Sequence, residues 1–598
     1  MIEYTVRIAD VNRHLFEVDC CVGGISGGEI FEFPSWIPGS YLLREYARHV
    51  VGAQALDPQG RPQPLEKIAH NAWRCRSDAD ALTLRLLVYA LDPSVRGAYL
   101  DARRGYFNGP CLFARPRSKP DSSVRLRLEA PRHAGQRRWS VATAMTPVDT
   151  NARGFGVYEA RDYDELLDHP FEIGEFDRVE FAVHGVPHSL VVAGSHDGDL
   201  ERVAADIQRL CSIQIRFFGE PPPFDRYVFL CVTASSGYGG LEHRYSSSLM
   251  FHRDDLPRHG GEPATQRYLK MLSLASHEYF HTWHVKRTRP AAFVPYRLDE
   301  RNHTRALWVF EGITSYYQDR FLLRSGLLEQ QDYLRRLSEI VSSVWRVPGR
   351  QMQSLADSSF DAWDKLYKPD ANSPNAGVSY YSKGAIVALA LDLEIRLRHD
   401  SRTSLDTVVQ ALWREFGAKD IGVPEDGFER LAREFAGDEL AEFFQYAIRG
   451  TQDPPLRDLF AQFGIDMQLE PTAPMPAEPS ASGSVAAARL WIGVMPKRAA
   501  DGVECVTVLS DGPAQEAGMN PGDVIVALAR RKVSCDNLDG LLSRYGAGDR
   551  VMVSAFRGDE LLDFQLTLQA APLRYCHLQF EHSATAAQIA RRDGWLQG

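Results

Sequence analysis

Along the first ~185 residues apolar and polar positions alternate in short runs. Ile30-Phe31-Glu32-Phe33, Leu82 to Tyr89 and Val124 to Glu129 follow this rhythm, and Gly, Pro and Asp clusters separate them. A period of two puts every second side chain on one face of a strand, so the spacing predicts a β-rich domain over 1–185, a sandwich or a large open sheet. Within it, Pro34-Ser35-Trp36-Ile37-Pro38-Gly39-Ser40-Tyr41 predicts an unusual turn, because proline fixes φ and glycine admits positive φ. From ~186 to ~260 the pattern mixes helix and strand, with Val228 to Val232 reading as a buried strand. From ~262 to ~465 a helical period dominates, as in Ala385 to Leu397 and Phe428 to Phe444. The Pro/Ala/Ser-rich stretch that begins at Pro471 has little to pack and predicts a linker over 471–487. Residues 488–572 return to short strands with one helix. The tail, 573–598, carries an amphipathic helix from Thr585 to Leu596, and no repeat of fixed period is present.

Composition narrows the class. The chain has 598 residues, 44% hydrophobic and 24% charged, which excludes collagen-like, coiled-coil and wholly disordered readings. At ~150 residues per domain the length asks for about four units. The net charge of −10 argues against a nucleic-acid partner held by a basic surface. No apolar run approaches the ~18 residues of a membrane span. The opening residues alternate like a strand and lack the layout of a signal peptide. Nine cysteines lie scattered without metal-type CxxC spacing, so a reduced, cytoplasmic protein is expected.

The chemistry begins at His277-Glu278-Tyr279-Phe280-His281. On a helix, residues four apart return to within about 40° of each other, one turn along. Two imidazoles on one face can grip a Zn²⁺ together, and Glu278 beside them can take a proton from the attacking water. HExxH should arise by chance only ~0.03 times in such a chain. Catalytic zinc needs a third protein ligand. His284 continues the stripe but lies ~10 Å along the axis from His277. Glu300 sits in a polar, turn-like segment that suits a solvated carboxylate. Glu311, in Leu307-Trp-Val-Phe-Glu-Gly-Ile, is flanked by apolar residues on what reads as a buried helix, where a carboxylate is costly unless it meets a cation or metal. Glu311 is therefore taken as the third ligand.

At these residues the sequence resembles the glycyl aminopeptidase family, PDZ-containing gluzincin zinc metallopeptidases related to aminopeptidase N. PSWIPGSYLLREYARHV at 34–50, HEYFHTWHVKRTRP at 277–290 and LWVFEGITSYY at 307–317 carry the likeness, which spans about 1–572. The resemblance implies a multidomain α+β fold. A β-rich N-terminal domain (1–185) precedes a thermolysin-like zinc peptidase domain (186–395) with a helical extension (396–470). The linker (471–487), a PDZ domain (488–572) and the tail (573–598) follow. It implies one Zn²⁺ per chain on His277, His281 and Glu311, with Glu278 as general base, in a cleft between the N-terminal sheet, the 239–242 edge and the two metal-bearing helices. In Tyr380-Tyr381-Ser382-Lys383-Gly384 it places Tyr381 as donor to the oxyanion. Gly239-Gly240-Leu241-Glu242 resembles the edge segment on which relatives seat the substrate's α-amine, Glu242 taking the ammonium. Leu241 and His243 depart from the Met and Asn of that pattern.

The activity implied is removal of N-terminal residues, small ones such as Gly or Ala, from peptides with a free N-terminus. Two other readings remain open: a catalytically weak or inactive PDZ scaffold, and a zinc endopeptidase. Residues 488–572 resemble a bacterial-type PDZ domain. Ile492, Gly493 and Val494, after Trp491, would form the loop and strand that take a C-terminal peptide.

Overall fold

The computed structural model describes residues 1–597 apart from 132–133, 137, 262 and 472–489. The expected linker, Pro471 excepted, lies outside the described residues. The chain forms two compact units. One contains 1–303, 317–327 and 410–424, and the other contains 304–316, 328–409 and 425–598.

The first unit opens with an eight-stranded sheet in which Ile2–Asp10 lies between Val124–Leu128 and Leu15–Gly23. Ile2–Asp10 pairs parallel with Val124–Leu128 and antiparallel with Leu15–Gly23. The alternation read from the sequence is the pleat itself. In Ala81–Tyr89 the side chains of Leu82, Leu84, Leu86 and Val88 are buried and those between them are less so. Two four-stranded sheets complete this β-rich part, whose core includes Phe16, Phe31, Leu84, Phe107 and Phe171.

A separate five-stranded sheet follows in the order Phe176–Val183, Val186–Ala193, Tyr227–Ala234, Ser246–His252, Gly239–Glu242. The 239–242 segment is thus an edge strand, antiparallel to Ser246–His252. Helices Leu200–Phe218 and Gln266–Phe280 belong to this part. Their aromatic residues interlock: Phe218 stacks on Trp283 at 4.9 Å, and Phe280 stacks on Tyr317 at 5.4 Å. Such pairs hold ring orientation as well as burying area.

The second unit is mainly helical, with Gln330–Trp345 and Ser382–Arg398 among its longer elements. The helical period read from Phe428 to Phe444 is divided between two helices. Gly437, at φ +102°, separates Gly427–Ala436 from Leu440–Phe444, because a positive φ cannot continue a right-handed helix. The strand Ile465–Glu470 pairs antiparallel with Tyr575–Phe580, close to the C-terminus. The Cys576 and Leu578 N–H groups donate to Ser342 and Ser338 hydroxyls of the Gln330–Trp345 helix. The final helix, Ala586–Gln597, buries Trp595 completely, its ring against Tyr333, Phe460 and Phe463. The Trp595 indole N–H donates to the Tyr316 hydroxyl at 3.1 Å.

Between these two paired strands lies the C-terminal module. Its main sheet runs Val494–Arg498, Val503–Val508, Val524–Leu528, Arg550–Arg557, Glu560–Thr567 over a core that includes Val503, Ile525, Val553 and Leu566. Asn375 grips it from the helical body: its amide donates to the Val508 carbonyl and its oxygen accepts from Ser510 N–H, both at 2.9 Å. The nine cysteines are all free thiols. Among the described residues no helix is long and apolar enough to cross a membrane.

Candidate active site

The Gln266–Phe280 helix starts at Thr265, whose hydroxyl accepts from Tyr268 N–H, and ends at His281, still at helical angles. It therefore carries both histidines of the HExxH motif one turn apart, their rings 4.6 Å apart. Each ring is held through its other nitrogen. His281 Nδ1 lies 2.7 Å from the His284 carbonyl, and His277 Nδ1 lies 2.8 Å from the Gln318 side-chain oxygen. Both partners are acceptors, so both Nδ1 atoms carry the proton. In neutral rings both Nε2 atoms then present lone pairs, and these face each other across 3.0 Å. Two lone pairs at that distance repel, and a cation set between them converts the repulsion into ligation. The donor set, two neutral imidazoles with fixed tautomers, is what Zn²⁺ takes. Carboxylates gather on the same spot, since oxygens of Glu278 and Glu242 lie within 4.8 Å of each other and of a His281 nitrogen. All three residues are buried.

Glycine is required where the backbone approaches these carboxylates. A Cβ on Gly240 would stand 2.1 Å from a Glu278 oxygen, and one on Gly39 would stand 2.3 Å from a Glu242 oxygen. Gly39 has φ +95° and belongs to the 34–41 turn, which Ser40 N–H closes by donating to the Ile37 carbonyl. The turn's composition thus serves to lay backbone against Glu242. Arg96 steadies the same edge by donating to the Gly240 carbonyl at 2.9 Å.

The residues that follow the motif build the turn that presents the His284 carbonyl. Lys286 is buried in an ion pair with Asp168 at 2.6 Å. Burial alone would raise the Asp168 carboxyl, but the Lys286 ammonium and the Arg244 N–H hold it down, to about 2. Arg287 donates to the carbonyls of Thr282, Pro223 and Arg244, which ties the turn to the loop after Glu242. His243, buried behind that edge, has its pKa lowered to about 3 by desolvation and stays neutral. Its Nε2 meets the Asn108 side-chain oxygen. His284 supplies a backbone carbonyl while its ring packs on Phe280. Glu300 is exposed and pairs with Arg297.

In the second unit Glu311 is 2% exposed and sits in a π-helical turn, Trp308–Gly312, that leads into the Ile313–Arg324 helix. Such one-turn widenings recur at functional sites. Gln318, whose oxygen holds His277, lies seven residues on, two turns along this continuous run. Gly312 meets Gly384 so closely that a Cβ on Gly312 would be 2.6 Å from the Gly384 Cα. The crossing brings together the element carrying Glu311 and the start of Ser382–Arg398, where Tyr381 stands. Burial, and then the Glu311 carboxylate, push the Tyr381 phenol well up, so it stays protonated. Its ring stacks on Tyr380 at 4.6 Å, and its hydroxyl lies 2.8 Å from that of Tyr367.

In the C-terminal module Gly493 has φ +80° and packs against Gly512. The Ile492 and Gly493 carbonyls accept from Ala514 and Leu509 N–H. Val494 opens a strand that, among the described residues, pairs only with Val503–Val508. The sequence marks the turn that holds Gly39 but not its approach to Glu242, and it does not mark Gln318, Arg96 or Tyr367. Each acts through a partner tens of residues away or, for Tyr367, around a turn, and no local periodicity marks such a bond.

Comparison with known proteins follows the same lines. Residues 3–175 match the Peptidase M61 N-terminal domain, 270–387 match M61 glycyl aminopeptidase, and 491–568 match a PDZ domain. A solved structure of an aminopeptidase N family protein from Idiomarina loihiensis is similar over 100% of both chains, at 36% identity and TM-score 0.93. An M1 zinc metallopeptidase variant from Deinococcus radiodurans covers 76% of this chain and 95% of its own, at 14% identity and TM-score 0.46. No curated protein sequence matches. The expected multidomain α+β fold, with its β-rich N-terminal part, helical catalytic region and PDZ module, is the fold observed, and the chain belongs to the M61 glycyl aminopeptidase family of metallo-aminopeptidases.

Proposed function

We propose that this chain is a zinc aminopeptidase that removes small N-terminal residues, Gly or Ala, from peptides with a free N-terminus. One observation carries the reading: two fixed, deprotonated imidazole nitrogens converge across 3.0 Å beside two buried carboxylates. His277, His281 and Glu311 would hold one Zn²⁺ per chain. When bound, the ion supplies Lewis-acid polarisation of the scissile carbonyl and acidification of a water.

The remaining work falls to side chains. Glu278 takes the proton of the attacking water and passes a proton to the departing amine. Tyr381 donates to the developing oxyanion. Glu242 takes the substrate ammonium, whose positive charge also relieves the repulsion between the neighbouring Glu242 and Glu278 carboxylates. Gly239, Gly240 and Leu241 offer the edge strand along which a peptide lies. In the PDZ module Ile492, Gly493 and Val494 would receive a C-terminal peptide by strand addition.

The test uses Gly- and Ala-anilides, free and N-acetylated, with and without a chelator. Cleavage of the free-amine substrates alone, lost on chelation and restored by Zn²⁺, is expected. Equal cleavage of acetylated substrate would favour an endopeptidase, and no cleavage by zinc-loaded protein would favour a binding scaffold. Glu278→Gln should keep its zinc and lose turnover at least ~1,000-fold.

A further inference from the structure

We propose that Tyr367 is a positioning residue for this reaction, holding the Tyr381 phenol in the orientation from which it donates to the oxyanion. The inference rests on the role given to Tyr381 above.

The two hydroxyls lie 2.8 Å apart, and either oxygen can be the donor. Tyr367 stands at the end of a turn whose root is buried. Ala362 and Trp363 are at most 1% exposed, and the Ala362 carbonyl accepts from Tyr367 N–H. Tyr381 is fixed from the other side by its stack on Tyr380 and by the Gly312–Gly384 crossing three residues later. The oxygens are thus kept in register by two separate pieces of backbone.

A phenol has one proton to donate and lone pairs with which to accept. When Tyr381 turns its proton toward a substrate oxyanion, its contact with Tyr367 survives only if Tyr367 becomes the donor. The pair permits this reversal without moving a heavy atom. In the resting protein Tyr381 can donate to Tyr367, and in the transition state Tyr367 donates to Tyr381, which donates to the oxyanion. The 2.8 Å contact between the two hydroxyls is kept when the proton swings. A phenol that accepts a hydrogen bond is also a stronger donor, because linked hydrogen bonds polarise one another. Phenylalanine at 367 removes both effects and leaves the Tyr381 ring in place.

The experiment compares full-length, zinc-loaded wild type, Tyr367→Phe, Tyr381→Phe and the double variant on a Gly- or Ala-anilide. Tyr381→Phe should lower kcat at least ~100-fold and Tyr367→Phe about tenfold, with KM within twofold and zinc content unchanged. The double variant should be no slower than Tyr381→Phe alone. A phosphinic transition-state analogue should bind Tyr367→Phe about tenfold more weakly, whereas free alanine should bind it as it binds wild type. Tyr367→Gln, which returns an N–H donor, should fall between wild type and Tyr381→Phe and provides the comparison should the Phe variant not fold. A Tyr367→Phe enzyme within twofold of wild type while Tyr381→Phe is crippled would overturn the proposal and leave the Tyr381 role standing. So would a Tyr367→Phe effect that persists in the Tyr381→Phe background. Near-normal turnover by Tyr381→Phe would remove the underlying reading itself.

Discussion

Gln318 and Gly39 are small features with large leverage on the site. The Gln318 oxygen fixes which nitrogen of His277 carries the proton. Gln318→Leu should leave the fold intact yet weaken Zn²⁺ binding by roughly 10- to 100-fold, as loss of a ligand-orienting partner does elsewhere. Titration with a chromogenic zinc chelator measures this, and unchanged affinity would count against the tautomer argument. Gly39 lies against Glu242 with φ +95°, so Gly39→Ala pushes a methyl into the carboxylate and strains the turn. Its kcat/KM on a free-amine anilide should fall at least ~10-fold if Glu242 takes the ammonium as proposed, because that carboxylate is displaced. Of the candidate site, the sequence made the helix-borne histidines and the burial of Glu311 legible, because those rest on local spacing and local apolarity. The His284 carbonyl and the Gln318 and Tyr367 side chains were not legible. Their importance arises only when a turn or a second helix delivers them, and the amino-acid types themselves are ordinary.

At the scale of elements, the C-terminal helix braces the catalytic body. Trp595 is fully buried and its indole reaches Tyr316, whose hydroxyl also donates to Asp392, itself paired with Arg396. Tyr316 stands five residues after Glu311 on the same helical run. Trp595→Ala removes a large buried ring and should destabilise the protein by about 3–5 kcal/mol. A lowered midpoint in urea should be accompanied by weaker metal retention, and truncation after residue 585 should mimic it. The sequence predicted an amphipathic helix here but not its partners, because an apolar stripe says that something is covered without saying what. The break at Gly437 was hidden for the opposite reason. Phe428 to Phe444 keeps a helical rhythm through a residue whose positive φ stops the helix.

Across the whole molecule, buried neutral histidines set the response to acid. Burial lowers His169 and His188 to about 4 and His243 to about 3, against an ordinary value of 6.5. Folded protein therefore resists protonation that the unfolded chain accepts. Their contribution is complete above pH ~6.5 and is lost as pH falls from there toward 4 for His169 and His188 and toward 3 for His243. With three groups the slope near pH 5 reaches up to about 4 kcal/mol per pH unit. The Asp168 contribution has the carboxylate sign: it is full above pH ~4 and lost only toward about 2, below this window. Urea midpoints between pH 8 and 5 should drop steeply below 6.5, and a flat profile would contradict the neutral-histidine account.

The pairing of Ile465–Glu470 with Tyr575–Phe580 makes the PDZ module an insertion rather than an appendage. A chain cut between those strands does not thereby lose its last segment, which stays moored by the strand ladder, by Asn375 and by Trp595. With a specific protease site placed within 472–489, cleavage should yield two polypeptides that co-elute as one zinc-containing enzyme. The same logic allows assembly from separate parts. A fragment ending near 475 and another spanning 488–598 should regain activity on mixing, with a concentration dependence that reads out directly how firmly this module is fastened.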